Sequence, residues 1–212
     1  MQIDMRHKLI AFIGVPGSGK TTAAKILAQF GFSLSEEDYT NNSFLSRYYE
    51  EMPRWAFHSQ MYFLINKIKQ HEVINKSLKK SHVVQDFPLY QDVAYARTTH
   101  KLGNMSKEEW ELYHDAFRLF DKKFKQPDLL IYLKVTPSTA ISRIRTRGRD
   151  FESSIDESYL SSLQESIEEL VTNNKSKAKS LILEADEINL VSNQLDMNAL
   201  SLQVNKFISE QK

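Results

Sequence analysis

Strand-length apolar runs alternate along this chain with longer stretches of helical period. Leu9-Ile10-Ala11-Phe12-Ile13, His82-Val83-Val84-Gln85 and Leu129-Leu130-Ile131-Tyr132-Leu133 each predict a buried strand. Phe32-Ser33-Leu34-Ser35 and Leu181-Ile182-Leu183 add a short second strand and a last one. Between them the pattern predicts a helix to about Phe30, ended by Gly31, and a helical stretch from Asn42 to Lys80 whose main part is a long helix from Pro53 to Leu78. A helix over Asp92 to Leu102 stops at Gly103, and Ser106-Lys107-Glu108-Glu109 reads as a capping box opening the helix of Trp110, Tyr113, Phe117 and Phe120. Thr136-Pro137-Ser138 starts another helix, Ser158 to Lys175 an amphipathic one, and Leu200 to Ile208 closes the chain. Strands alternating with helices predict an α/β fold, a parallel sheet of about five strands with helices on both faces and the Leu129–Leu133 strand beside the first.

Composition narrows the function without naming it. At 212 residues the chain fits one domain over 1–212. The 28 Lys and Arg against 27 Asp and Glu leave a net charge of +1, which argues for a small-molecule partner rather than a nucleic-acid polymer or a membrane surface. No cysteine is present, so disulfides and thiolate metal sites are excluded, and no apolar run approaches about 18 residues. The expectation is a soluble cytoplasmic protein.

The segment between the first strand and its helix carries the chemistry. Gly14 to Thr22, GVPGSGKTT, meets the phosphate-loop pattern G-x-x-x-x-G-K-[ST] at Gly14, Gly19, Lys20 and Thr21. Four constrained positions would match by chance in roughly one chain of this length in a hundred, and the flanking strand and helix are the context the motif needs. The backbone from Gly14 through Pro16, Gly17, Ser18 and Gly19 can curl its N–H groups inward, and the helix start at Lys20, Thr21 and Thr22 adds positive potential for the phosphates of a nucleotide. Lys20 would bridge the β- and γ-phosphates and the Thr21 hydroxyl would ligate Mg²⁺.

Other polar residues fall where such a loop would use them. Glu36, Glu37 and Asp38 follow the second strand, where a carboxylate could orient or deprotonate an attacking hydroxyl. Asp86, ending the next strand, is a candidate for Mg²⁺. On the long helix Gln60 and Lys67 share a face, as do Phe57 and Leu64, and an amide among aromatics suits a nucleobase edge. Arg143, Arg145, Arg147 and Arg149 place four guanidinium groups in seven residues, with Arg143 and Arg147 on one helix face and Arg145 and Arg149 on another.

In this order, the segments resemble the deoxynucleoside kinase family over nearly the whole chain. The stretch NNSFLSRYYEEMPRWAFHSQMYFL carries the likeness of the substrate site, and PDLLIYLKVTPSTAISRIRTRGRDFESSIDESYLSSL that of a strand, a helix and an arginine-rich lid over about 143–157. The resemblance implies a P-loop NTPase fold that moves the ATP γ-phosphate to a nucleoside, with Mg²⁺ and as a homodimer. It implies that Tyr49 and Glu152 hold the sugar 3′-hydroxyl, that Trp55 lies in the base cleft and that Gln60 pairs with the base. Glu37 matches the catalytic base, with Glu36 the fallback, and the four arginines match the lid. Asp92 falls where the family reads an exocyclic amino group with a basic partner, here Lys67, which favours an amino-bearing base and a purine among those. The chain departs from the pattern after the third strand: acid, arginine and serine become Asp86-Phe87-Pro88, so the acid is kept and the arginine that contacts the reacting end of the substrate is lost. Asp38 replaces the proline after the catalytic glutamate. Two other readings stay open, a nucleoside monophosphate kinase and a nucleotide-binding protein without catalysis.

Overall fold

The computed structural model describes residues 7–121, 123–173 and 178–210. The last two residues of the expected Ser158–Lys175 helix lie outside them. Five parallel strands form one sheet: β1 (Leu9–Ile13), β2 (Ser33–Ser35), β3 (Val83–Gln85), β4 (Leu129–Lys134) and β5 (Lys179–Glu184), in the order β2-β3-β1-β4-β5. Ile10 of β1 pairs with Val84 of β3 on one side and Leu129 of β4 on the other, so the Leu129–Leu133 run lies beside the first strand as its apolar character requires. Every residue of β1 is buried, which covers the sheet on both faces, while β2 and β5 form its edges.

The helices are α1 (Lys20–Gln29), α2 (Leu45–Glu50), α3 (Met52–Ser77), α4 (Leu89–Lys101), α5 (Lys107–Asp121), α6 (Pro137–Arg147), α7 (Glu157–Thr172) and α8 (Gln194–Ser209). One group packs α1 against α8, and another joins α3, α4, α5 and α7. A core of Ile10, Phe12, Ala23, Leu27, Ile131 and Val204 holds α1 and α8 to the sheet. A second cluster, including Leu45, Ala56, Leu64, Val93 and Tyr113, joins α2 to α5 beyond it. Among the described residues no helix is long and apolar enough to cross a membrane.

Local chemistry explains where the elements begin and end. The expected capping box is formed: Glu109 N donates to Ser106 Oγ at 3.1 Å and Ser106 N to Glu109 Oε2 at 2.9 Å. The stretch from Asn42 to Lys80 is interrupted, because Glu51 takes non-helical dihedrals (φ −142°, ψ 71°) and Pro53 then lies in the first turn of α3. Helix α4 starts three residues before Asp92, since Pro88 at its N-cap fixes the entry (φ −77°). Helix α8 starts at Gln194 rather than Leu200, where the Asn193 side chain accepts from Leu195 N.

Candidate active site

The phosphate loop leaves β1 under tight steric control. A Cβ at Gly14 would stand 2.7 Å from the Leu133 carbonyl oxygen, and one at Gly17 2.6 Å from that of Ala140, so α6 presses directly on the loop. Gly17 also has φ +80°, which a side chain would strain. Lys20 opens α1, and its Nζ donates to Gly14 O at 2.8 Å and Val15 O at 2.9 Å. Burial lowers the Lys20 pKa to about 8, with Asp86 and Glu37 opposing the shift. Gly14 is also clamped by a residue the sequence reading missed: its N–H donates to Gln91 Oε1 at 3.0 Å and its carbonyl accepts from Gln91 Nε2 at 2.8 Å. That clamp ties the loop to α4.

Asp86 binds two elements at the carboxyl edge of the sheet. Its Oδ2 accepts from Thr21 Oγ1 and its Oδ1 from Glu37 N, both at 3.0 Å. Glu37 turns inward, its Oε1 3.2 Å from Lys67 Nζ, an ion pair rather than an aligned hydrogen bond. Glu36 turns outward instead, pairing with Lys25 on the surface at 3.0 Å. Burial raises the Glu37 pKa and Asp86 adds to it, against the pull of Lys67. Burial alone would lower Lys67, but Glu37, Asp92 and Asp86 together hold it above its ordinary value. Asp92 is pushed well up by burial, with Lys67 opposing and Glu37 adding.

A cavity of about 100 Å³ opens beside this cluster. Of the residues singled out in the sequence, Pro16, Lys20, Glu37, Tyr49, Gln60 and Asp92 line it, joined from the lid side by Arg147, Arg149 and Glu152. Among the described residues, Gln60 Oε1 and Asp92 Oδ2 are buried without a hydrogen-bonding partner. Buried polar atoms are rarely left so, and here they face a space a ligand can enter. The walls include residues that carried no motif: Tyr39, Tyr48 and Tyr95, and Phe151 stacked on Tyr49 at 5.8 Å. Burial raises the Tyr48, Tyr49 and Tyr95 hydroxyls well above the usual phenol range, so they are neutral donors.

Other expected members of the site stand elsewhere. Trp55 lies off the cavity wall, stacked on Phe44 at 5.9 Å with the Arg47 and Arg54 guanidinium groups 5.0 and 5.1 Å from its ring. Phe57 packs beside His58 at 6.0 Å, also off the wall, whereas Phe63 and Phe87 line it. Gly148 (φ 67°) ends α6, so Arg149 lies beyond the helix and does not share a helical face with Arg145 as the spacing suggested. Arg147 Nη2 and Arg149 Nη1 both bond the buried Glu152 carboxylate, and Arg149 also lies 4.1 Å over the Tyr39 ring. Arg143 donates to Ala185 O at 2.8 Å and Arg145 is exposed. A larger groove of about 1340 Å³, lined by Arg97, His114 and Arg118 among others, contains none of the phosphate-loop residues.

Residues 10–209 match the model of the deoxynucleoside kinase family. The chain belongs to the deoxynucleoside kinase family. Among similar proteins, the deoxyguanosine kinase of Bacillus subtilis is 31% identical over 205 residues, 94% of this chain and 97% of that protein. The deoxyadenosine/deoxycytidine kinase of the same organism is 34% identical over 158 residues, 73% of this chain and 72% of the relative. A solved deoxyadenosine kinase from M. mycoides with bound dATP superposes with a TM-score of 0.80 at 26% identity, over 94% of this chain and all of that one. The sheet and loop together are therefore the P-loop NTPase fold of a deoxynucleoside kinase. Gln91 and the aromatic wall were the parts missed. The apolar and aromatic content of the segment from Trp55 to Ile65 was visible, but not which of its rings would face inward.

Proposed function

We propose that this deoxynucleoside kinase moves the ATP γ-phosphoryl group to the 5′-hydroxyl of a deoxynucleoside with an amino-bearing base, purines favoured, the chain acting as one domain. The observation that carries this reading is the shared cavity: Lys20 and Glu37 stand at one part of its wall, and the unpartnered Gln60 and Asp92 atoms at another. Glu37 would accept the hydroxyl proton as the new P–O bond forms, and ADP would leave with the electrons of the bond that breaks. Lys20, released from the Gly14 and Val15 carbonyls, would take the transferring phosphate. Arg147 and Arg149 would close on the phosphates, with Arg143, one turn along α6 from Ala140, and Arg145 joining them around ATP. Tyr49 and Glu152 would hold the 3′-hydroxyl. Gln60 offers donors and an acceptor to the base, and Asp92 Oδ2 accepts from an exocyclic amino group. Trp55 and Phe57 would support α3 behind the base.

Thr21 and Asp86 suit Mg²⁺, one hydroxyl and one carboxylate 3.0 Å apart beside the phosphate loop. Mg²⁺ usually takes one or two carboxylates together with substrate phosphates, where it neutralises charge on the phosphate oxygens. A reaction that consumes ATP is proposed for the compartment that supplies it, the cytoplasm. A homodimer is proposed from the exposed apolar side chains Ile65 and Val73 on α3 and Leu112 and Leu119 on α5, surface of the kind a second copy covers. Sedimentation at two concentrations would test it, and a monomer at both would reject it.

The reaction is tested by incubating the protein with ATP and Mg²⁺ against the four deoxynucleosides and, separately, their monophosphates. Transfer to deoxynucleosides supports the proposal. Transfer confined to the monophosphates makes it a monophosphate kinase, and no transfer makes it a binding protein.

A further inference from the structure

The family resemblance implies that Lys67 partners Asp92 in reading the base, but the atoms are arranged otherwise. Lys67 Nζ lies 3.2 Å from Glu37 Oε1, and the lysine side chain is 4% exposed. Among the described residues no ion pair joins Lys67 to Asp92, and Asp92 Oδ2 has no hydrogen-bonding partner. Lys67 is also absent from the residues that line the cavity, so it stands behind Glu37 rather than against the substrate.

Phe87 explains why the ammonium points this way. Its ring centre is 4.8 Å from Lys67 Nζ and 5.8 Å from Lys20 Nζ, so an aromatic ring neighbours both lysines. Lys20 is engaged with the loop carbonyls, and a transferring phosphate would claim it. Among the described residues Glu37 is therefore left with one dedicated cation, Lys67, while the neighbouring carboxylate, Asp86, repels it. Without that cation a buried Glu37 carboxylate gains by turning toward water or toward Lys20. Either move takes it away from the hydroxyl it would serve.

We propose that Lys67 is a positioning residue for phosphoryl transfer, holding the Glu37 carboxylate in place over the Phe87 ring, and that it does not select the base. The inference rests on the reaction proposed above, with Glu37 as the base. It assigns to α3 two separate duties, base contact at Gln60 and support of the reacting end at Lys67.

The test is a double-mutant cycle of Lys67→Met and Glu37→Gln, with kcat and KM measured for each of the four deoxynucleosides at saturating ATP. Lys67→Met should lower kcat by about fiftyfold and leave each KM and the order of preference within about threefold, the pattern of a lost transition-state interaction. Lys67→Arg should retain most of the rate. The double variant should turn over within about twofold of Glu37→Gln alone, because Lys67 acts through the group already removed. A Phe87→Arg change in the Lys67→Met protein should recover about tenfold, since a guanidinium at that ring can reach the same carboxylate. If Lys67→Met fails to fold, Lys67→Gln takes its place in the cycle, keeping a polar side chain beside the Glu37 carboxylate without the charge. Additive losses in the cycle would overturn the proposal, as would a Lys67→Met protein that keeps its kcat but changes its preferred base. A wild-type protein that phosphorylates no deoxynucleoside would overturn the reaction itself, whereas a fully active wild type with an additive cycle overturns the role of Lys67 alone.

Discussion

The phosphate-loop end of the cavity is shaped largely by backbone: a Cβ at Gly14 or Gly17 would collide with the Leu133 or Ala140 carbonyl, and Gln91 holds both the N–H and the carbonyl of Gly14. The end proposed for the base is made of side chains from separate elements, with Gln60 and Phe63 on α3, Asp92 and Tyr95 on α4, and Phe151 after α6. A backbone site requires particular residues at consecutive positions, so it leaves a local motif. A side-chain site requires a shape, which many residues can supply from distant parts of the chain. The phosphate end should therefore tolerate no change in the transfer step, while the base end should trade one specificity for another.

Removing the Lys20 ammonium is the most severe way to break that contrast. Lys20→Ala should lose about a thousandfold or more in kcat, several kcal/mol of transition-state stabilisation, for every deoxynucleoside alike. Its thermal unfolding should stay close to wild type, because among the described residues the Lys20 amine donates only to the Gly14 and Val15 carbonyls, within six residues of it. Near-full activity would remove the loop from the mechanism. Glu37→Gln should reduce kcat about a hundredfold with nucleoside binding little changed. Glu36→Gln, on the surface beside Lys25, should behave as wild type, and the reverse result would move the base by one residue.

At the other end, Asp92→Ala should leave ATP affinity alone and shrink the preference for amino-bearing bases over thymidine by about ten- to a hundredfold, the 1–3 kcal/mol of an unpaired buried polar group. An unchanged order of preference in a competition assay would make Asp92 a structural residue. The smallest effect concerns the lid. Proteolysis around Arg145 to Arg149 should slow several-fold when ATP is present, as phosphates recruit guanidinium groups now held by Glu152. Equal cleavage with and without ATP would make the segment a fixed surface feature.

Legibility in the sequence follows the same division. The place of β4 beside β1, the loop with its Lys20 and Thr21, and Asp86 at the end of β3 could be read because apolar runs and the glycine pattern are local signals. Base-end membership was harder to read. Trp55 and Phe57 carry the same aromatic signal as Phe63, and only the rotation of α3 after the break at Glu51 decides which of them line the cavity. Spacing placed Lys67 and Gln60 on one face, but it could not say that Lys67 would meet Glu37 from another element. Gln91 gave no signal, because a glutamine that clamps a peptide looks like any glutamine in a helix. Arg149 leaves the helical face that its spacing from Arg145 suggests, because Gly148 ends α6 between them.

The account stands most directly on where the phosphate goes. Phosphorus NMR of wild-type protein with ATP, Mg²⁺ and deoxyadenosine or deoxyguanosine should show ADP and, in equal amount, one new monophosphate signal split by the two C5′ protons of the sugar. A product split by a single sugar proton, or inorganic phosphate in place of the monophosphate, would contradict it.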